Sequence, residues 1–292
     1  MNNLEAKYRK ILDIIKQISE KENFLHQKRK PRLKDIEVIA LSLAAECSGY
    51  DSECQLFLHL PSCIEGKIER SVYNRRRRTL FPFYEEIREK ISGLLVKNCN
   101  HFVIDSMPLE ICKNSRAKRS KICKDDERSY PNMGYCASQK MHYYGYKLHA
   151  VCSTSGVFTS FDITAASIHD IKYLNDVKYD YCNCILIGDK GYISKQYQLD
   201  LFSYGNIKLE VPYRNNQLDY QETNPMFRVK RKRIETLFSQ LCDQFMIRRN
   251  YAKRFIGFRV RLLSKILSLT CLQFINQQSG RNINSLKSIT FD

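Results

Sequence analysis

HFVIDSMP, residues 101–108, places an aspartate directly after three apolar residues. A second stretch, CILIGDKGY at residues 184–192, repeats this pattern after a four-residue apolar run. Short apolar runs rich in β-branched side chains are typical of strands that are covered on both faces. We therefore predict two buried strands that end at Asp105 and Asp189, at the sheet edge where open α/β proteins bind their ligands.

A third carboxylate, Glu235, lies in VKRKRIETLFSQL at residues 229–241, a basic segment with helical patterning. Three carboxylates that converge in a crevice require compensating positive charge. A pair of hard divalent cations such as Mg²⁺ provides it, because these ions prefer oxygen ligands and catalyse in-line attack at phosphorus. Asp105, Asp189 and Glu235 are therefore candidate ligands of two Mg²⁺ ions, for which Mn²⁺ is expected to substitute.

The composition indicates a partner for such a site. The 292 residues include 48 Lys and Arg against 31 Asp and Glu, a formal net charge of +17. This charge favours a nucleic acid over a small acidic metabolite, because polyanions bind through counterion release. The hydrophobic content of 43% allows one main domain and a smaller one. The cysteines are scattered and no secretory leader is recognisable, which indicates a cytoplasmic enzyme with reduced thiols. The most apolar stretch contains charged residues, which argues against a membrane span.

Residues 1–97 are predicted to form an all-α domain, since apolar residues recur at helical spacing between Gly- and Pro-containing breaks. Two helices followed by an arginine-bearing helix are the arrangement of helix-turn-helix modules, which read the major groove. The predicted helix at residues 69–80 contains four successive arginines, Arg75, Arg76, Arg77 and Arg78. We expect these arginines to contact DNA, and the alternative is a solvated basic face.

From residue 98 the sequence pattern changes to strands. The predicted order of elements is β-β-β-α-β-α-β-α, with a hairpin around residues 154–156 and a polar, lysine-rich loop at residues 106–140. This is the element order of a ribonuclease-H-like fold with a mixed sheet. Residues 98–276 are therefore predicted to form an α/β catalytic domain of this kind, and residues 277–292 a polar tail.

Five words of the sequence together resemble the DDE transposases of bacterial insertion sequences, most closely the insertion sequence 982 family. In chain order they are VIDSMPLEIC, YYGYKLHAVCS, SIHD, GDKGY and KRIETLFSQL, and the resemblance runs through roughly residues 30–275. A strand that ends in Asp is common in α/β proteins. The specificity lies in the order of the words and in the spacing, which is 84 positions from Asp105 to Asp189 and 46 from there to Glu235.

The resemblance implies a DDE transposase that binds the ends of its insertion sequence and catalyses metal-dependent strand cleavage and strand transfer. Asp105 would bridge both metals, and Asp189 and Glu235 would each complete one site. The implied partners are double-stranded DNA, as terminal inverted repeats and as target, and no membrane. Concerted cutting of paired ends needs more than one active site, so a homodimer on DNA is expected, associated with the bacterial nucleoid.

Further basic residues near the three carboxylates are candidate DNA contacts. Lys190 follows Asp189 directly, and it would meet a phosphate or merely flank the end of the strand. Arg231 and Arg233 lie on the predicted helix of Glu235. Arg231 precedes Glu235 by one turn, so it would pair with the glutamate in the absence of metal and with phosphate when DNA is bound.

Four residues are candidates for accessory roles. Lys147 and His149 alternate along a predicted strand, so both or neither would reach the metals, and the alternative is ordinary surface or core packing. His169 and Asp170 match an HD word of the transposases that the sequence resembles. For Asp170 we favour a helix cap or a supporting hydrogen bond.

Three other functions remain open from the residues alone. A catalytically silent DNA-binding protein derived from a transposase is one, although the intact Asp105, Asp189 and Glu235 argue against it. A ribonuclease-H-fold nuclease without strand-transfer activity would cut DNA and would not join it. A tyrosine recombinase needs an HxxR motif near its C-terminal catalytic region, whereas the only such motif in the sequence, His26 to Arg29, lies near the N-terminus.

Overall fold

The computed structural model describes residues 3–26, 28–212 and 225–291. Two predicted element ends, Tyr213 of the last strand and Asn224 of the helix after it, lie outside these ranges. The regular elements are the helices α1 Asn3–Ile18, α2 Asp35–Cys47, α3 Glu53–Phe57, α4 Arg70–Thr79, α5 Phe81–Leu95, α6 Leu174–Asp180, α7 Lys195–Gly205, α8 Pro225–Asp243 and α9 Phe255–Gln278, and the strands β1 His101–Cys112, β2 Asn132–Cys136, β3 Met141–Ser153, β4 Phe158–Ala165, β5 Cys184–Ile187 and β6 Ile207–Glu210.

Close contacts group the chain into two compact units. The helical unit combines Met1–Leu95 with Gln240–Asp292, and the sheet unit is Val96–Ser239. The predicted boundaries lie at residues 97 and 276, whereas the contacts group residues 240–276 with the N-terminal helices. The reason is that α9 covers the apolar surface of the helices before it, with contacts to α2, α4 and α5.

The helices α1 to α5 match the all-helical content predicted for the N-terminal residues. α2 is buried over most of its length, as its run of Ile, Leu, Val and Ala requires. The side chain of Ser52 caps α3 by accepting a hydrogen bond from the Gln55 amide at 3.1 Å, which its Ser-x-x-Gln spacing predicts. These elements form the core of the helical unit together with α9.

Charged residues are buried inside α9, which is why its apolar stretch is interrupted. Arg261 and Lys265 are 5% and 1% exposed, and Lys265 Nζ donates hydrogen bonds to a carboxylate oxygen of the buried Glu46 and to the carbonyl oxygen of Phe245. Paired in this way, two cations are tolerated in the core because a buried charge needs a partner. Among the helices of the described ranges, none is long and apolar enough to cross a membrane.

The sheet unit is built on one mixed sheet with the strand order β4-β3-β1-β5-β6, and β2 pairs with the first part of β3. β3 runs antiparallel to both β1 and β4, while β5 runs parallel to β1 and to β6. Hydrophobic residues of α6, α7 and the central strands form a core on one face. This mixed α/β topology fits the predicted ribonuclease-H-like fold.

Two predictions about the strands need correction. The first strand does not end at Asp105, since β1 continues to Cys112 by pairing with β3 beyond the end of β5. The region predicted as a loop, residues 106–140, therefore contains the second half of β1 and all of β2. β2 joins the sheet as an antiparallel hairpin with the start of β3, across a turn at residues 137–140. The five residues of β2 contain a glycine and no regular apolar alternation, so their pattern does not predict a strand.

Candidate active site

Asp105 and Asp189 lie at the same level on neighbouring strands. The last residue pair of the parallel ladder between β1 and β5 is Val103 with Ile187. Asp105 lies two positions after Val103, inside β1, and Asp189 lies two positions after Ile187, just beyond β5. β5 ends there, so the β1 backbone at Asp105 has no strand neighbour on that side among the described residues. The two aspartates therefore lie side by side where β5 ends and β1 continues alone. Asp189 follows the end of its strand, as predicted, whereas Asp105 is internal to β1.

Asp105 shares a face of the sheet with the helix that carries Glu235. Side chains alternate along a strand, so Asp105 is on the side of Val103 and of its pairing partner Cys152. α8 packs on this side, since the rings of Phe158, opposite Cys152, and Phe238 have centroids 6.2 Å apart. The helix of the third carboxylate thus covers the face from which Asp105 projects.

The electrostatic environment of Asp105 is dominated by its burial. Removal from water raises the pKa of the Asp105 carboxyl to about 7, although the Ser106 amide donates to it at 2.8 Å and opposes the rise. The neighbouring carboxylates of Asp189 and Asp170 raise this pKa further, and Arg231 lowers it. The site therefore concentrates negative charge in a poorly solvated place, which is an environment that attracts a cation.

Asp189 is held by the turn that follows β5. Its Oδ1 accepts a hydrogen bond from the Gly191 amide at 2.8 Å and so caps a short 3₁₀ turn. A Cβ atom at Gly191 would lie 2.9 Å from Oδ1 of Asp189 and 3.8 Å from Oδ2 of Asp170. The absence of a side chain at Gly191 thus leaves room between two carboxylates.

Asp170 contacts side chains of both β1 and β3. Its Oδ1 accepts a hydrogen bond from Ser106 Oγ at 2.7 Å and lies 3.0 Å from Lys147 Nζ. These contacts are compatible with a supporting hydrogen-bond role for Asp170, which stays a prediction. The predicted cap role falls instead to His169, whose exposed ring accepts from the Ile171 amide at 3.3 Å.

Lys147 and His149 do share one face, as their alternation predicts, but it is not the face of Asp105. His149 pairs with Ser106, and neighbours in sequence such as Asp105 and Ser106 point to opposite sides. His149 is fully buried, with Nε2 at 2.8 Å from Thr164 Oγ1. Burial lowers its pKa to about 4, against the opposing influence of Asp170, so the ring is neutral near pH 7.

Glu235 is not gathered with the two aspartates. Its side chain is 59% exposed, and its Oε1 lies 4.0 Å from a terminal nitrogen of Arg231, one helical turn earlier. Within the stretches that the structure describes, no three His, Cys, Asp or Glu side chains are close enough to hold a metal ion together. Arg231, which lowers the pKa of Asp105, is on the side of α8 that approaches the aspartates.

A basic cavity opens beside the end of β5. It has a volume of about 470 Å³, and its lining includes the cations Lys190, Arg228 and Arg231. Arg233 is exposed and lies two positions from Arg231, about 200° around the helix, so it faces elsewhere. Lys190 and Arg231 therefore occupy one basic surface, whereas Arg233 does not share it.

The four arginines of α4 have different environments. Arg76 donates to Oδ1 of the fully buried Asp35 at 2.6 Å, and Arg77 to Oε1 of Glu53 at 2.7 Å. Arg75 is exposed and Arg78 is partly exposed. The run therefore does not present four arginines to a ligand, since its two central members are engaged in ion pairs inside the helical unit.

Two residues near the site were not among the sequence candidates. Ser106 bonds to Asp170, and its position directly after Asp105 is the one signal that could have suggested it. Arg228 lines the basic cavity with Arg231, three positions later, which is a spacing that places both on one side of a helix. Arg228 lies in a run of basic residues, several of which face solvent, so the sequence alone does not single it out.

The chain matches the model of a known protein family. The family model described as Transposase DDE domain matches residues 100–271. The matched range contains Asp105, Asp189 and Glu235 and covers more than half of the chain. Neither curated proteins nor solved structures give a match.

Proposed function

Since the chain belongs to the transposase DDE domain family, we propose that it is a DDE transposase of the insertion sequence 982 type that cleaves and joins DNA at the ends of its element. The observation that carries this proposal is the level position of Asp105 and Asp189 on adjacent strands, on the side of the sheet covered by the helix of Glu235. Two-metal catalysis at phosphorus uses such a convergence of carboxylates, because oxygen ligands hold the ions.

Two Mg²⁺ ions, when bound, would activate the attacking oxygen and neutralise charge on the leaving oxygen. The oxygen donors of Asp105 and Asp189 fit such hard cations, and the nearby carboxylates of Asp189 and Asp170, which add to the rise that burial causes in the pKa of Asp105, favour the entry of a cation. Glu235 would complete the set of ligands by moving away from Arg231. Its Oε1 lies 4.0 Å from a terminal nitrogen of Arg231, and its side chain is well exposed to water. An exposed pair at this distance costs little to break.

The basic cavity supplies the proposed contact with the DNA backbone at this site. Lys190, Arg228 and Arg231 would neutralise phosphate oxygens beside the scissile bond, with the arginines able to form paired hydrogen bonds. Once a phosphate occupies Arg231, Glu235 is free to bind metal. Because two element ends must be cut together, we further propose a homodimer on DNA that acts at the bacterial nucleoid.

The first prediction concerns the three carboxylates. Asp105→Asn, Asp189→Asn and Glu235→Gln each retain the shape of the side chain and remove the charge that would hold Mg²⁺ or Mn²⁺. Each change should reduce nicking of a supercoiled plasmid that contains the element ends by at least about a hundredfold, because metal ligands act as a set. End binding, measured by gel shift without metal, should stay within about twofold.

The matched control is Glu110→Gln, an exposed carboxylate on the same strand as Asp105. It should cut like the unchanged protein, since it lies beyond the point on β1 where the two aspartates meet. Normal cutting by one of the three other variants would remove that residue from the catalytic set. Binding without any cutting by the unchanged protein would favour the catalytically silent alternative.

A further inference from the structure

The helical unit contains a cleft of its own. It has a volume of about 390 Å³ and lies between the start of α3, the middle of α4 and the residues that lead into α9. All of its lining residues belong to the helical unit. Five of them are cationic, namely Arg77, Arg78, Lys253, Arg254 and Arg261, and two, Asp51 and Glu53, are carboxylates.

The excess of positive charge is not cancelled inside the unit. Glu53 is matched by Arg77 at 2.7 Å. Arg78, Lys253 and Arg254 form no ion pair with any residue that the structure describes. A concave surface that gathers unmatched cations attracts an anion.

The backbone adds to this attraction. α9 has 24 residues and begins at Phe255, and its N-cap residue Arg254 provides no side-chain hydrogen bond to the first turn. The N-terminus of a helix carries partial positive charge, which attracts a phosphate. Gly257, in the first turn, lines the cleft and has no side chain to keep an anion from the backbone.

Two arginines at the wall of the cleft retain unused donors. Arg77 and Arg261 are 6% and 5% exposed, and in each the Nε–H group has no hydrogen-bond partner among the described residues. The Nε atom of Arg261 lies 3.7 Å from Oε1 of Glu46, which is too far for a hydrogen bond. These two arginines therefore form the buried wall of the cleft, and the exposed Lys253 and Arg254 are the cations that a ligand reaches first.

We propose that this cleft binds a backbone phosphodiester of DNA, so that the helical unit grips DNA with α4 and the segment at 251–257 together. The acceptor oxygens of a phosphodiester suit guanidinium, ammonium and backbone N–H donors alike. Two sources of this chemistry exist, a DNA strand and free phosphate, and the proposed substrate of the protein favours DNA. To that extent the inference rests on the proposed function.

The test uses the full-length protein without divalent metal, so that binding is measured apart from cutting. Lys253→Ala/Arg254→Ala removes two exposed cations of the cleft, and Lys10→Ala/Lys16→Ala removes two exposed cations of α1 as a matched control. Fluorescence anisotropy of a labelled end duplex is followed against salt concentration. The cleft variant should bind about three- to tenfold more weakly, and its slope of log K against log salt should become shallower by about 0.9 for each phosphate that the protein no longer neutralises. The control should change both quantities less.

A second arm separates the two sources of phosphate. Inorganic phosphate, compared with chloride at equal ionic strength, should raise the melting temperature of the unchanged protein and of the control, but not that of the cleft variant. A phosphate effect without any loss of duplex binding would assign the cleft to free phosphate and overturn the DNA proposal. Equal duplex affinity and equal phosphate response in all three proteins would remove the site altogether. Failure of the unchanged protein to cut DNA would affect the proposed function and leave this binding result standing.

Discussion

Asp105 lies where the β1 ladder loses its partner on one side, and its burial there raises the pKa of its carboxyl from near 3.8 to about 7. A carboxyl group with a raised pKa binds a proton in the folded protein at pH values where the unfolded chain has released it. The contribution of Asp105 to the free energy of unfolding therefore falls as pH rises from about 4 to about 7. In the metal-free protein this residue opposes stability at neutral pH.

The second prediction follows from that sign. Without divalent metal, Asp105→Asn should stabilise the protein at about pH 8 relative to its effect at about pH 5, by roughly 1–4 kcal/mol. The reason is that the amide has no proton to lose. Urea unfolding of both proteins in a chelator at the two pH values measures the difference, with Glu110→Gln as control. A pH-independent effect of the substitution would mean that the carboxyl titrates normally.

At the scale of single residues, the sequence predicted Asp105 and Asp189 because each follows an apolar run. It could not predict that Asp170 would bond to Ser106 and Lys147, since these contacts join residues that are distant in the chain. The capping preference of Asp suggested a cap there. The long-range acceptor role prevailed because it is satisfied by two donors from neighbouring strands.

Helix α4 shows how an element decides the roles of similar residues. Consecutive positions are about 100° apart on a helix, so four successive arginines cannot share one environment. Arg76 and Arg77 turn toward buried or partly buried carboxylates, whereas Arg75 and Arg78 remain accessible. A DNA contact by this helix is therefore expected from its outer members.

The third prediction separates these roles. Arg76→Ala leaves the buried Asp35 without its cation and should destabilise the protein by about 3 kcal/mol. Arg75→Ala, on the exposed side, should change stability by less than about 0.5 kcal/mol. Chemical denaturation measures both. Similar small effects for the two variants would show that the ion pair with Asp35 contributes little in solution.

Strand β1 is longer than the strand that its first apolar residues predict. The apolar run at residues 102–104 predicted a short strand, but the ladder with β3 extends it to Cys112. Beyond Asp105, Met107, Leu109 and Ile111 do alternate with other residues, which is a strand pattern, but Pro108 within it and the polar residues that follow favoured a loop. Pairing with a partner some forty positions away decides their conformation.

For the whole molecule, the assignment of α9 matters most. The chain order predicts that this helix belongs with the sheet, because it follows Glu235. The structure groups it with α2, α4 and α5, whose apolar faces it covers. Order along the chain predicts the sheet topology well, but it does not reveal which core a terminal helix completes.

The fourth prediction tests this grouping. A fragment of residues 1–97 lacks α9 and exposes the apolar surface that α9 buries, so it should show no cooperative thermal unfolding by circular dichroism. The full chain provides the reference. A sharp transition of the fragment, with native-like helix content, would mean that the N-terminal helices form a core without α9.

The fifth prediction tests the central claim that this site transfers strands, not only hydrolyses them. A two-metal site accepts either water or a DNA 3′-hydroxyl as the attacking oxygen, so cutting alone does not distinguish a transposase from a nuclease. The measurement is joining of a pre-cut end oligonucleotide to an unrelated plasmid by the purified protein in Mg²⁺ or Mn²⁺. We predict joined product with a free 3′-hydroxyl, and none with a 3′-dideoxy end or with Asp105→Asn. Efficient cutting of the ends without joined product on any target would contradict the transposase assignment in favour of a nuclease.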